Sequence, residues 1–497
     1  MKNVLIFWII LVANSSQLYA QGFYNHTWLL GSYNFLQDPK GRIEFSDTGY
    51  VHTGEFRKMS FKGTEATICN SQGDFLMSTN GIWIANANND TMLNGSGLNP
   101  SSYTGQWPFG LPMTTNAIFL PFPDDSTKYA LIHHTCSAMG VGYPSFELLI
   151  SIVDINQDGG LGAVVLKNSA IFQDTLNWGF GCVKHANGRD WWIICSKHNS
   201  SKIYKVLLTP NGNIVSSQTL YNAHYSWFNA TQFPFNNSGD RFAYTTYDSV
   251  NHNSFIVTAN FDRCTGNIYN ETSIQMTNAE YLWGLAFSTS GNNLYTCTST
   301  KVFQINTDSL TSDTIAYYDG FISPPNLTCC STSFWEMYLA ANSKIYITSG
   351  NGVQHLHEMN YPDSAGTACD LQQHAISLGY AQLRAVPNHP NYNLGPVVGS
   401  VCDTLGVGLP EMQHDFHFGI TPNPVADGPV KIIYLLPENN SGIFEVYDIT
   451  GQLVYKMNLP PWSTLQLVEL PRLSEGVYTA VVRSGYERSA KKLAIIR

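Results

Sequence analysis

Four tryptophans, Trp178, Trp227, Trp283 and Trp335, each stand seven to twelve residues ahead of a polar turn. Flat indole faces repeated at one structural position can stack against a sugar ring or a peptide, or fill the packing between repeats. In HLHE (355–358), His355 and His357 alternate onto one face of a strand, where two imidazoles could begin a metal site. The pattern supplies no third ligand, and His133 and His134 fall on opposite faces, so histidines satisfied between strands are the favoured reading and no metal residue is assigned. DINQDGG (154–160) alternates oxygen-bearing residues and puts Gly159 sixth, like the start of a calcium loop. Its twelfth position is Val165 instead of a bidentate acid, so a polar turn is favoured; calcium is the one cofactor the sequence raises. There is no G-x-S-x-G elbow, H-E-x-x-H helix or phosphate loop, and no catalytic residue is assigned. A hydrolase or lyase acting on an extracellular glycan or lactone, with a site assembled from several repeats, is the alternative to a binding protein.

The elements that would carry these residues repeat. Strand, polar turn and aromatic or β-branched strand recur in ICNSQGDFLMSTNG (68–81), FPDDSTKYALIHH (122–134), VKHANGRDWWIICS (183–196), FNNSGDRFAYTTY (235–247), FSTSGNNLYTCTS (287–299) and LAANSKIYITSG (339–350). Their turns centre near 73, 125, 188, 239, 291 and 342, at intervals of 52, 63, 51, 52 and 51 residues. A period near 50 predicts a β-propeller, whose four-stranded blades bury their faces only against neighbours. Residues 22–405 then hold about seven blades, with the ring closing between 28–35 and strands near 381–395. The fold class is all-β.

Composition agrees. Charged residues are 12% and aromatics 13%, which favours sheet, and a net charge of −10 without clustered Lys and Arg argues against nucleic-acid binding. Residues 1–20 read as a secretory signal peptide: Lys2, an apolar stretch from Val4 to Val12, and Ala20 before the cut. No stretch reaches the roughly 20 apolar residues a spanning helix needs. Ten cysteines in an exported chain predict disulfides; Cys182 with Cys195, and Cys329 or Cys330 with Cys297 or Cys369, are candidates. The segments TNGIWIANANNDTMLNGSGL (79–98), GGLGAVVLKN (159–168), KHANGRDWWIICSK (184–197), NFDRCTGNI (260–268) and FSTSGNNLYTCTSTKVFQIN (287–306) resemble a family of exported Bacteroidetes propellers. That resemblance implies a secreted or surface propeller and no particular activity.

After a turn-rich linker (406–419), short evenly spaced strands predict a small immunoglobulin-like β-sandwich over 420–497. Eight basic and seven acidic residues give this module +1, against −11 for the rest. It has no His, Cys or phosphate loop, so recognition or packing is its role. The order PNP (Pro422, Asn423, Pro424), VYDITGQLVY (446–455, with Gly451), LSEGVYTAVV (473–482, with Gly476 and Tyr478) and KKLAIIR (Lys491, Lys492, Arg497) resembles the C-terminal sorting domain of the type IX secretion system. The resemblance implies folding in the periplasm, passage across the outer membrane, and a sortase that removes the domain. The partners it implies are that machinery and its sortase, beside an unknown extracellular glycan or protein. Lys491, Lys492 and Arg497 are the candidate contacts to the machinery; charges that keep a strand edge from aggregating are the alternative.

Overall fold

The computed structural model describes residues 22–496 apart from 47–48, 136–143, 222–231, 249–250, 277–280, 325–329, 404–417, 427, 435, 437–440, 461–464 and 485–486. The signal peptide expected at 1–20, Trp227, Arg497 and nearly all of the expected linker lie outside the described residues. The chain divides into two compact units, residues 1–405 and 406–497, each taken by itself below.

The first unit is a seven-bladed β-propeller. Antiparallel blades follow one another at 27–55, 66–96, 117–176, 181–219, 235–276, 285–317 and 334–382, and a single parallel bridge, Ala163 to Leu93, joins the outer edges of blades 2 and 3. The six repeating turns are one and the same turn: the hairpin between the innermost and second strands of blades 2 to 7. Each holds a residue at positive φ, namely Gly73 (94°), Asp124 (62°), Gly188 (75°), Gly239 (73°), Gly291 (77°) and Ser343 (65°). Asparagine side chains lock several of them: Asn70 Oδ1 accepts from the Gln72 and Asp74 amides, and Asn187 Oδ1 from those of Arg189 and Asp190. The long interval of 63 comes from blade 3, whose outer strands Ser145–Asp154 and Ala163–Leu176 are extended. Blade 1 lacks the turn, and its sheet has three strands instead of four. The core lies between blades, as where Val183, Trp192 and Ile194 of blade 4 meet Phe242, Tyr244 and Val257 of blade 5.

The ring closes where blade 7 meets blade 1. The Ser32 amide donates to Ala381 O (2.9 Å) and the Gly31 amide to Gln382 Oε1 (2.6 Å). The strands expected through 395 stop at Gln382. Pro387, Pro390 and Pro396 cannot donate to a ladder, and the chain instead crosses the ring as a strap. It runs over the end of the central channel that carries the hairpin turns. Tyr392 donates to Phe119 O (2.7 Å) and packs edge-on against Trp191. Arg263 Nη2 donates to Gly395 O (2.6 Å) and the Val397 amide to Ala186 O (2.8 Å). The turn glycines make room: a Cβ on Gly188 would lie 2.7 Å from Pro396 N, and one on Gly239 2.8 Å from Leu394 Cδ1.

A disulfide between Cys264 and Cys402 pins the end of the strap. The pairings expected from sequence do not form, because Cys182, Cys195, Cys297 and Cys369 are buried free thiols. Register explains the first case: Cys182 faces Ile193, two residues from Cys195. Cys330 is disulfide-bonded as well, but to neither Cys297 nor Cys369. Since Cys264–Cys402 closes a 138-residue loop, replacing both cysteines by serine is expected to cost about 4 kcal/mol of stability. Denaturant unfolding of the double variant against the parent checks this; an unchanged midpoint contradicts it.

Among the described residues, the second unit is a sandwich of seven strands. Phe418–Thr421, Val430–Tyr434 and Leu465–Val468 form one sheet; Leu453–Leu459, Gly442–Tyr447, Gly476–Ser484 and Glu487–Ile495, in that spatial order, form the other. Alternating residues such as Val430, Ile432, Phe444, Val446, Ala480, Val482, Leu493 and Ile495 fill the space between them.

Candidate functional site

The end of the channel opposite the strap, where the chain leads into each inner strand, carries a row of aromatic rings. Trp335 is the second residue of Phe334–Leu339, and Trp283 lies two residues before Leu285–Phe287. Their indoles stack at 3.9 Å between centroids and 16° between planes. Beyond Trp283 come Tyr281 at 5.9 Å and, 4.5 Å further, Tyr247 at the far end of its strand. The row thus spans blades 5, 6 and 7. Tyr281, Trp283 and Trp335 are half-buried, with part of each surface reaching solvent. Gly350 packs against the Trp335 ring, where a Cβ would come within 2.7 Å of it. A side chain there would push the indole from its place in the row.

Trp178 occupies the same end in blade 4 but joins a separate cluster with Tyr103, Leu111 and Met113. The structure therefore brings Trp283 and Trp335 together and leaves Trp178 apart. Tyr247 and Tyr281 were missed by the sequence reading; in EYLW (280–283), the alternation of Tyr281 and Trp283 along an extended segment was the available signal.

Acidic groups lie near this end. Glu65, 1% exposed, accepts from Gln382 Nε2 (3.4 Å), and its other oxygen has no partner. Burial pushes its pKa well above the usual carboxyl range, with the Arg57 guanidinium nearby opposing the shift. Glu336, 0% exposed, accepts from the Tyr338 hydroxyl. Both side chains are away from solvent.

The histidines and the acidic turn are engaged locally. His355 Nδ1 meets Ser323 Oγ at 3.0 Å, and His357 Nδ1 accepts from the His374 amide at 3.0 Å. Burial lowers His357 to about 4. Asp154 accepts from the Asn156 amide (3.0 Å) and from Gln157 Nε2 (3.2 Å). Among the described residues, no group of three or more His, Cys, Asp and Glu is arranged to hold a metal ion.

In the sandwich, Asn423 behaves like a backbone unit. Its Nδ2 donates to Lys492 O (2.7 Å) and its Oδ1 accepts from the Ala494 amide (2.9 Å). Val425 continues the pairing as a parallel bridge to Ile495. The segment from Pro422 to Pro424 thereby fastens the last part of the final strand. Gly451, at φ 83°, closes a turn in which Asp448 Oδ1 accepts from the Thr450 and Gln452 amides. Gly476 begins its strand, and Tyr478 packs on the core while donating to Ser474 O (2.9 Å). Lys491 and Lys492 are both exposed and lie opposite Ala480 and Thr479, so they project to the two faces of an edge strand.

Fold and surface together define an all-β protein made of a β-propeller followed by a separate β-sandwich. Residues 419–496 match the secretion system C-terminal sorting domain, the domain used by type IX secretion. The chain is accordingly exported to the cell surface or released from it; among the described residues, no helix is long and apolar enough to cross a membrane. No curated protein matches the chain. Among solved structures it is similar to a candidate 6-phosphogluconolactonase from Bacteroides uniformis (12% identity, TM-score 0.43, covering 72% of this chain and 98% of that one). It is also similar to a functionally unknown protein from Desulfotomaculum acetoxidans (12%, 0.38, 73% and 99%). A third is an oligogalacturonate lyase from Vibrio parahaemolyticus (10%, 0.36, 65% and 88%). At such scores and identities, none of the three bears on the activity of this chain.

Proposed function

We propose that the propeller is an extracellular binding module that holds a macromolecular ligand, a glycan or a protein segment, across the leading end of its channel. The observation that carries this reading is the aromatic row Tyr247–Tyr281–Trp283–Trp335. Tyr281, Trp283 and Trp335 are partly exposed, with Tyr247 buried beside them; such rings supply large contact area at little cost in side-chain entropy, and they dominate interface energetics where they cluster. A row across three blades suits an extended chain better than a compact small molecule. The sorting domain delivers the module, and Lys491 and Lys492 are proposed to meet the export machinery.

Binding of the purified propeller to surface glycan fractions and to surface proteins, followed by tryptophan fluorescence, tests the reading. Substituting Trp283→Ala and Trp335→Ala together is expected to weaken binding by about 30-fold or more, as for hot-spot aromatics. Unchanged affinity in a folded double variant would falsify the assignment. Release of a cleaved product favours the hydrolase or lyase alternative.

A further inference from the structure

The strap does not fill the channel end that it crosses. Between it and the hairpin turns of blades 5 to 7 remains a cavity of about 360 Å3, within the ~300–1,000 Å3 range of small-ligand pockets. Among the described residues its wall contains no Asp, Glu, Lys or Arg, although the protein as a whole carries −10. Amide side chains from several elements converge there instead. Gln232 is fully committed: its Nε2 donates to Met337 O, while its Oε1 accepts from the Leu285 and Met337 amides. Asn391 of the strap is tied to Asn237 of a blade 5 turn (2.8 Å). These two contacts fix the frame.

Asparagine side chains in the wall remain uncommitted. Asn25, ahead of blade 1, and Asn388, in the strap, are half-exposed, and neither side chain bonds to another described residue. His389 also lines the cavity, but both its ring nitrogens are covered, so it offers a guest no polar atom.

Chemistry narrows the guest. A charged molecule would lose its hydration and find no counter-charge in this wall. An apolar one would leave Asn25 and Asn388 unpaired. Hydroxyl groups both donate and accept, as the amides do.

We propose that this strap cavity binds a neutral polyhydroxylated ligand of mono- or disaccharide size through Asn25 and Asn388. The site lies at the opposite end of the channel from the aromatic row and does not depend on it. The test uses the mature full-length protein and a panel of glucose, galactose, mannose, N-acetylglucosamine and their disaccharides, with saturation-transfer NMR and titration calorimetry. At least one sugar is expected to bind saturably. Asn388→Leu and Asn25→Leu, taken from separate segments so that one survives a folding defect in the other, are each expected to weaken it about tenfold, the equivalent of one lost hydrogen bond. Trp283→Ala is expected to leave it unchanged. Saturation by no member of the panel overturns the proposal. So does binding that ignores both asparagine variants, or binding that disappears with Trp283→Ala.

Discussion

A chain shortened by removal of residues 420–497 is expected to fold its propeller and fail to leave the cell. The propeller needs nothing from the deleted part to close: its ring is joined by Ser32 with Ala381 and Gly31 with Gln382, and its strap is held by Cys264 and Cys402. The sandwich likewise has its own core, from Val430 and Ile432 to Leu493 and Ile495. Two units with separate cores lose stability independently. What the shortened chain lacks is the sorting domain matched at 419–496. Fractionation of cells expressing both forms should find the full-length protein at the surface or in the medium and the shortened one almost wholly within the periplasm. The retained propeller should resist proteolysis as the exported one does. Normal arrival of the shortened protein at the surface contradicts the routing; its absence from every fraction marks a folding defect instead.

The repeating part of the fold was legible because each blade announces itself locally. A turn needs a residue at positive φ and an Asn, Asp or Ser side chain to lock it, and six blades present that requirement at nearly constant spacing. Blade 1 was harder to see because its first connection, residues 31–39, has no such turn. The sorting domain was legible for a similar reason: its PNP segment and its turn at Gly451 are local devices. Long-range features were not legible. Nothing near Cys264 or Cys402 indicates that they meet across 138 residues, and the Cys182–Cys195 pairing favoured by proximity failed on register. The strap was read as strand because Ala381 to Gly395 is apolar enough, whereas its three prolines cannot join a ladder. Of the aromatic row, two members stood out as tryptophans at a repeated position. Tyr247 and Tyr281 join them only because three blades converge on the channel, and convergence is a property of the ring rather than of any segment.

Acid should unfold the propeller well before its carboxylates are titrated. His133 and His134 are both fully buried, and His389 has both ring nitrogens covered. Burial lowers each to about 3, and the neighbouring His134 adds to the lowering of His133. His133 is wedged between Asn99 Oδ1 (2.8 Å) and Ser151 Oγ (2.9 Å), and His134 lies edge-on to Phe180; neither has a carboxylate partner that would welcome a charge. In the unfolded chain these imidazoles titrate near 6.5. As pH falls from 6.5 toward 3, the unfolded state therefore takes up protons that the folded state refuses, and stability declines through that window; above 6.5 it is fully present. For a shift of this size the loss at pH 5 is about 2 kcal/mol for each independent histidine. Urea midpoints at pH 7.5, 6 and 5 should fall steeply in that order. His133→Gln keeps one donor and one acceptor for Asn99 and Ser151 but cannot titrate, so its midpoint should fall less between pH 7.5 and 5. A parent protein whose midpoint is level across that range would show that the buried imidazoles find proton acceptors the folded structure does not provide.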